Sequence, residues 1–194
     1  GGDGNYTFKP GAGFDDIDGG TGNDVIDFRG NGAVQVSLDG SVDGTGNADQ
    51  DSYVSIEWVI GSSFGDLLIG NAAANTLRGL GGADTIMSGA GSDKIYGGTG
   101  IDVLSGDMGN DLFVFDRILD CGDLITDFGN ALGNQDRIMI RASAFGGGLV
   151  AGLVAAGLFT APIFVLLISR FGFGQVIGPV RIAAVAIGFA GVIL

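Results

Sequence analysis

From Gly1 onward the chain repeats itself every nine residues, and few folds can satisfy such a period. Residues 1–27 divide into GGDGNYTFK, PGAGFDDID and GGTGNDVID. Residues 61–114 divide into GSSFGDLLI, GNAAANTLR, GLGGADTIM, SGAGSDKIY, GGTGIDVLS and GDMGNDLFV. The eighth place is apolar in all nine units: Phe8, Ile17, Ile26, Leu68, Leu77, Ile86, Ile95, Leu104 and Phe113. The sixth is aspartate in seven of them, Asp15, Asp24, Asp66, Asp84, Asp93, Asp102 and Asp111, with Tyr6 and Asn75 as the exceptions. A disordered Gly/Asp-rich segment has no reason to hold an apolar residue at every ninth place.

Each place in the unit has a physical reading. The last three residues suit a short strand whose middle side chain points inward, so two units make one eighteen-residue coil of two parallel sheets. The predicted fold is therefore all-β, a right-handed parallel β-roll. Glycines at the first, second and fourth places permit positive φ and a tight turn that aims backbone carbonyls at an ion. The sixth-place aspartate adds a hard anionic oxygen. Stacked turns about 4.8 Å apart bring such aspartates close enough to share one cation, and to repel one another without it. Six to eight oxygens in irregular geometry suit Ca²⁺ better than Mg²⁺.

Composition sharpens this reading. All 22 acidic residues lie at or before Asp136, and 21 of them are aspartate, Glu57 being the only glutamate. Turns favour Asp with Gly, whereas helix surfaces favour Glu. With seven bases in residues 1–145, the net charge there is near minus fifteen, which repels nucleic acid and attracts multivalent cations. The absence of histidine excludes histidine-dependent zinc sites and a Ser-His-Asp triad, and the lone Cys121 excludes an internal disulfide. The start on Gly1, with no basic-then-apolar leader, reads as a fragment or as export without an N-terminal signal peptide.

GGTGNDVID at residues 19–27 and GGTGIDVLS at residues 97–105 match the pattern G-G-x-G-x-D-x-U-x at every place, and the chain resembles the RTX, or haemolysin-type, calcium-binding repeats. That resemblance implies a calcium β-solenoid binding several ions. Its implied ligands are Asp15, Asp24, Asp66, Asp84, Asp93, Asp102 and Asp111, with the backbone carbonyls of Gly20, Gly22, Gly82, Gly89, Gly91, Gly98, Gly100 and Gly109. Carried over residue by residue, the pairs Asp66–Asp84, Asp84–Asp102 and Asp93–Asp111 form the best sites. The step from Asn75 to Asp93 lacks a charge and is expected to be weak or empty, and Tyr6 damages the step to Asp24.

Residues 28–60 break the period without leaving β structure. Val34, Val36 and Leu38 alternate with polar residues, as do Val54, Ile56, Trp58 and Ile60, which predicts two strands joined by the loop SVDGTGNADQD, with Trp58 facing the core. Residues 115–145 contain GDLITDF followed by DRI and resemble the flank after the repeats in many RTX proteins, which implies a cap and type I secretion. Within it Asp123 and Asp127 read as solvated turn residues rather than calcium ligands.

Residues 146–194 differ in kind: they hold no acid and only Arg170 and Arg181. Residues 149–168 are long enough for a membrane-spanning helix, and residues 182–194 are too short for a second span. Around them TAPIFVLLISRFGFGQVIGPVRIAAVAIGFAGVIL resembles a helix pair of the drug/metabolite transporter (EamA-type) superfamily through Gly174, Pro179, Arg181, Gly188, Phe189 and Gly191, with Gln175 where that family has Glu. The resemblance implies a C-terminal hydrophobic helical hairpin. Arg170 and Arg181 would hold its loop in the cytoplasm and leave the acidic module outside.

The expected organisation is thus three repeats at 1–27, a β insertion at 28–60, six repeats at 61–114, a cap at 115–145 and a hydrophobic tail at 146–194. The expected function is noncatalytic calcium binding by a secreted, extracellular module. Two alternatives are the calcium-binding end of a secreted protease or lipase whose catalytic domain lies upstream, and a transporter fragment fused to the repeats.

Overall fold

The computed structural model describes residues 1–117, 120, 122–129, 134–141 and 164–165. Among these the chain forms short parallel strands and one 3₁₀ turn, Gly46–Ala48, with no α-helix. Two sheets face each other. The front sheet runs Thr7–Phe8, Val25–Asp27, Trp58–Ile60, Thr76–Gly81, Lys94–Thr99, Leu112–Phe115 and Arg137–Ile140, all parallel. The back sheet runs Gln35–Ser37, Leu67–Ile69, Thr85–Met87, Val103–Ser105 and Leu124–Ile125, also parallel. Below it Asp16–Asp18 pairs with Ser52–Val54 as a separate ribbon. This is the all-β parallel roll that the period demands.

Register follows the eighth place. Phe8, Ile26, Val59, Leu77, Ile95, Phe113 and Ile138 stack directly over one another in the front sheet. Val36, Leu68, Ile86, Leu104 and Ile125 do so in the back. From Ile26 to Phe113 and from Val36 to Ile125 these side chains are at most 1% exposed, and Phe28, Val34, Leu38, Ala48, Ile56 and Phe115 pack into the same core. Ile95→Ala is expected to cost about 2–5 kcal/mol, measurable as a lowered urea midpoint in calcium-containing buffer.

Residues 28–60 do not interrupt the roll. Val59 fits between Ile26 and Leu77, and Val36 begins the back sheet. This corrects the inward assignment of Trp58 and Val54: Trp58 is 40% and Val54 55% exposed, while Ile56 and Val59 are buried. The two strands keep one phase, Tyr53 and Val59 inward and Val54 and Trp58 outward; only Ile56, in the turn at residues 55–57, points inward out of step with them. Val34, Val36 and Leu38 do face the core. The strands on either side of the polar loop pair with neighbouring coils rather than with each other.

Among the described residues no helix is long and apolar enough to cross a membrane. The membrane-spanning helix expected at 149–168, and the hairpin containing it, lie outside the described residues apart from Phe164–Val165, a strand antiparallel to Leu124–Ile125.

Candidate metal centres

The turns between strands carry the acidic residues. All eight glycines named for their carbonyls, Gly20, Gly22, Gly82, Gly89, Gly91, Gly98, Gly100 and Gly109, have φ between 91° and 147°. Of the second places that are not glycine, Leu80 and Asp107 still take positive φ, 82° and 56°, whereas Ser62 and Asn71 do not. The fourth place is the least forgiving: a Cβ on Gly109 would lie 1.5 Å from the carbonyl oxygen of Gly91.

The sixth-place aspartates form two ladders, one along each edge of the roll. In each rung the backbone N–H of one coil donates to the Oδ1 of the aspartate one coil further on. Asp66 donates to Asp84 at 2.8 Å, Asp84 to Asp102 at 2.8 Å and Asp93 to Asp111 at 2.9 Å. Asn75 donates to Asp93 at 2.7 Å, and Tyr6 to Asp24 at 2.8 Å. The structure thus brings together the three pairs expected from the repeat.

The second carboxylate oxygen is different. Oδ2 of Asp24, Asp84, Asp93, Asp102, Asp111 and Asp123 is buried with no hydrogen-bond partner. In Asp84, Asp102 and Asp111 this oxygen folds over the first-place glycine: a Cβ on Gly79, Gly97 or Gly106 would lie 2.1, 2.4 or 2.5 Å from it. The same Gly79 Cβ position is 2.6 Å from the carbonyl oxygen of Gly97, so carboxylate and carbonyl border one small space. Likewise the carbonyls of Gly82 and Gly91 border the Cβ positions of Gly100 and Gly109, each of which is 3.3 Å from Oδ1 of Asp102 or Asp111. The first-place carbonyls, such as that of Gly97, were absent from the expected set. Their period was visible in the sequence, but not the direction in which they point.

The remaining predicted carboxylates are already satisfied. Asp66 accepts from Val34 N, Ser62 N and Ser62 Oγ, and Asp15 accepts from Gly11 N. Asp15 is only partly buried, and its N–H donates to Asp51. Asn75 accepts from Asn71 N and donates to Ile56 O, so it presents no anionic oxygen.

Burial raises the acid constants of Asp84, Asp93, Asp102, Asp111 and Asp123. Desolvation pushes Asp84, Asp111 and Asp123 up to about 7 and Asp93 up to about 6, opposed by the N–H that each accepts. Neighbouring carboxylates push the same way: Asp102 and Asp66 on Asp84, Asp136 and Asp93 on Asp111. Asp102 and Asp136 are also raised, chiefly by desolvation.

Three ladder members escaped the periodic reading. Asp123, expected to be solvated, is 3% exposed and accepts from Asp102 N at 3.0 Å, adding a rung. Asp136 does the same for Asp111 N. Both follow their partners by more than eighteen residues, which hides them from a period search. Asp127 is not a free turn residue either; it accepts from Gly106 N, Asp107 N and Ser105 Oγ, tying the flank to the last repeat. The third is Glu57, whose Oε2 accepts from Asp24 N at 2.8 Å. Glu57, the only glutamate in the chain, lies in the three-residue turn at residues 55–57.

Among the described residues no three acidic side chains converge on one point, so any cation here must take much of its shell from backbone carbonyls. That donor set, carboxylate plus carbonyl with neither histidine nor thiolate, fits a hard ion such as Ca²⁺. Curated proteins provide no match to the chain. Residues 60–95 and 88–117 match the family model described as RTX calcium-binding nonapeptide repeat (4 copies). Residues 60–117 are calcium-binding repeats of the RTX type, folded as consecutive coils of a parallel β-roll.

Proposed function

We propose that the roll is a calcium-dependent folding module. Asp24, Asp84, Asp93, Asp102, Asp111 and Asp123 would hold the ions, together with carbonyls of the glycine turns. The observation that carries this reading is the set of six buried Oδ2 atoms without a donor. An uncompensated buried carboxylate costs several kcal/mol, and several stacked along one edge repel each other as well. A divalent cation bordered by these oxygens supplies the missing charge, so its binding energy is folding energy. Asp15 and Asp66, whose oxygens are already engaged, serve the turns rather than an ion.

The same chemistry suits millimolar extracellular calcium and a secreted protein that folds after passing the type I machinery. No described residue is assigned a catalytic role. The test is a circular dichroism titration of the whole chain. Strand signal is expected to be low in chelator near neutral pH, to rise cooperatively with millimolar Ca²⁺ and to collapse when chelator is restored. Full strand signal in chelator, unchanged by calcium, would refute the module.

A further inference from the structure

Six residues separate back-edge from front-sheet strands along most of this edge: 19–24 before Val25–Asp27, 70–75 before Thr76–Gly81 and 88–93 before Lys94–Thr99. Between Ser52–Val54 and Trp58–Ile60 there are only three, residues 55–57. The turns of the neighbouring coils therefore stand proud on both sides of this one, and a cleft of about 540 Å³ opens at the step.

Its chemistry is unlike the rest of the roll. Trp58 and Tyr6, 40% and 41% exposed, present aromatic surface to it. Asn5, Asn23, Thr76 and Ser92 bring amide and hydroxyl groups from four different coils, the Asn5 amide oxygen already accepting from Asn23 N at 2.9 Å. Among the described residues no hydrogen bond engages the Trp58 indole N–H and no ion pair engages Lys94 on the rim. The Glu57 carboxylate in the wall is partly spent on Asp24 N. In a chain of net charge −13, this is a nearly charge-balanced cleft.

We propose that the cleft binds a neutral hexopyranose chain, with Trp58 as the stacking platform. An indole face takes the apolar C–H face of a pyranose ring, and planar amides match vicinal hydroxyls with paired donors and acceptors. Four coil steps of about 4.8 Å give the cleft roughly 19 Å along the roll, length for a short oligomer. An acidic polysaccharide is excluded by the surrounding aspartates, and a basic peptide would seek them rather than an indole.

Trp58 is the single tryptophan, so its fluorescence reports on this cleft alone. Calcium-loaded full-length chain, its fold verified by circular dichroism, is titrated with cellotetraose and with tetra-N-acetylchitotetraose. A saturable blue shift with at least one is expected, with no response to an oligogalacturonate. In calorimetry Trp58→Ala should abolish the heat of binding, and Asn23→Ala should weaken affinity about tenfold, the loss of one good hydrogen bond. Both side chains lie outside the core, and the Asn23 variant carries the test if the Trp58 variant misfolds. No shift with either neutral sugar, or undiminished binding by the variants, overturns the proposal. Failure to fold with calcium would instead overturn the module itself, and the dichroism control separates the two.

Discussion

In chelator, lowering the pH from about 8 to about 5 is expected to restore strand structure that calcium restores at neutral pH. Asp84, Asp111 and Asp123 have folded-state constants of about 7 and Asp93 of about 6. An unfolded aspartate titrates near 3.9. The folded roll therefore binds protons more tightly than the unfolded chain. The resulting stabilisation is fully present below about pH 4 and is lost as pH rises through 6 to 7. Protons and calcium compete for the same oxygens, so calcium affinity should fall over the same window. Dichroism against pH in chelator, with and without calcium, measures both. General charge reduction would also favour compaction, so Asp43→Asn, on an exposed loop, serves as control and should leave the transition in place. A calcium-free strand signal that is flat with pH would contradict the burial argument.

Asp84→Asn should have opposite effects on the two forms. The amide keeps an oxygen for the N–H of Asp66 and replaces the unpartnered Oδ2 with a donor facing the carbonyl of Gly97. In chelator the charge that burial and the Asp66 and Asp102 carboxylates disfavour is gone, so the calcium-free roll gains on the order of a few kcal/mol near neutral pH. With calcium the same change removes an anionic ligand and raises the calcium midpoint roughly tenfold or more. Denaturation in chelator and a calcium titration, run on one preparation, read the two signs. Asp66→Asn, whose carboxylate is already held by Ser62 and Val34, should show only destabilisation, and in both forms. Equal behaviour of the two variants would mean that unsatisfied oxygens do not mark the ion sites.

Much of the roll was legible because its constraint is local. An apolar eighth residue recurs in all nine units and an aspartate at the sixth in seven, so Leu77, Ile95 and Phe113, and Asp84, Asp102 and Asp111, could be assigned to inside and edge from spacing alone. First-place glycine was also visible, but it was expected for positive φ, which none of Gly19, Gly61, Gly70, Gly79, Gly97 and Gly106 adopts. Its reason, an Oδ2 lying where Cβ would be, required coordinates.

Where the spacing changes, sequence and structure part. Backbone hydrogen bonds hold adjacent strands at one separation however many residues the intervening loop contains. Val59 therefore lands on Ile26 across a gap of 33 positions, and Ile138 on Phe113 across 25. Whatever acid reaches the exposed N–H at such a step becomes the rung: Glu57, Asp123 and Asp136 fill places that no nine-residue pattern marks. Trp58 points outward because the strands on either side of residues 55–57 keep one phase, Val54 and Trp58 out and Tyr53 and Val59 in; the buried Ile56 lies in the turn and gave a false inward phase to the sequence.

The sequence by itself determined that residues 61–114 coil, what lies inside each coil, and that acid lines its edges, because those features repeat at the period of the fold. Only the tertiary structure decided which aspartates keep an unpartnered oxygen, which residues carry the ladder past the repeats, and that one shortened turn opens a cleft. Those outcomes depend on distances between coils, which the backbone hydrogen bonds set and the linear spacing does not encode.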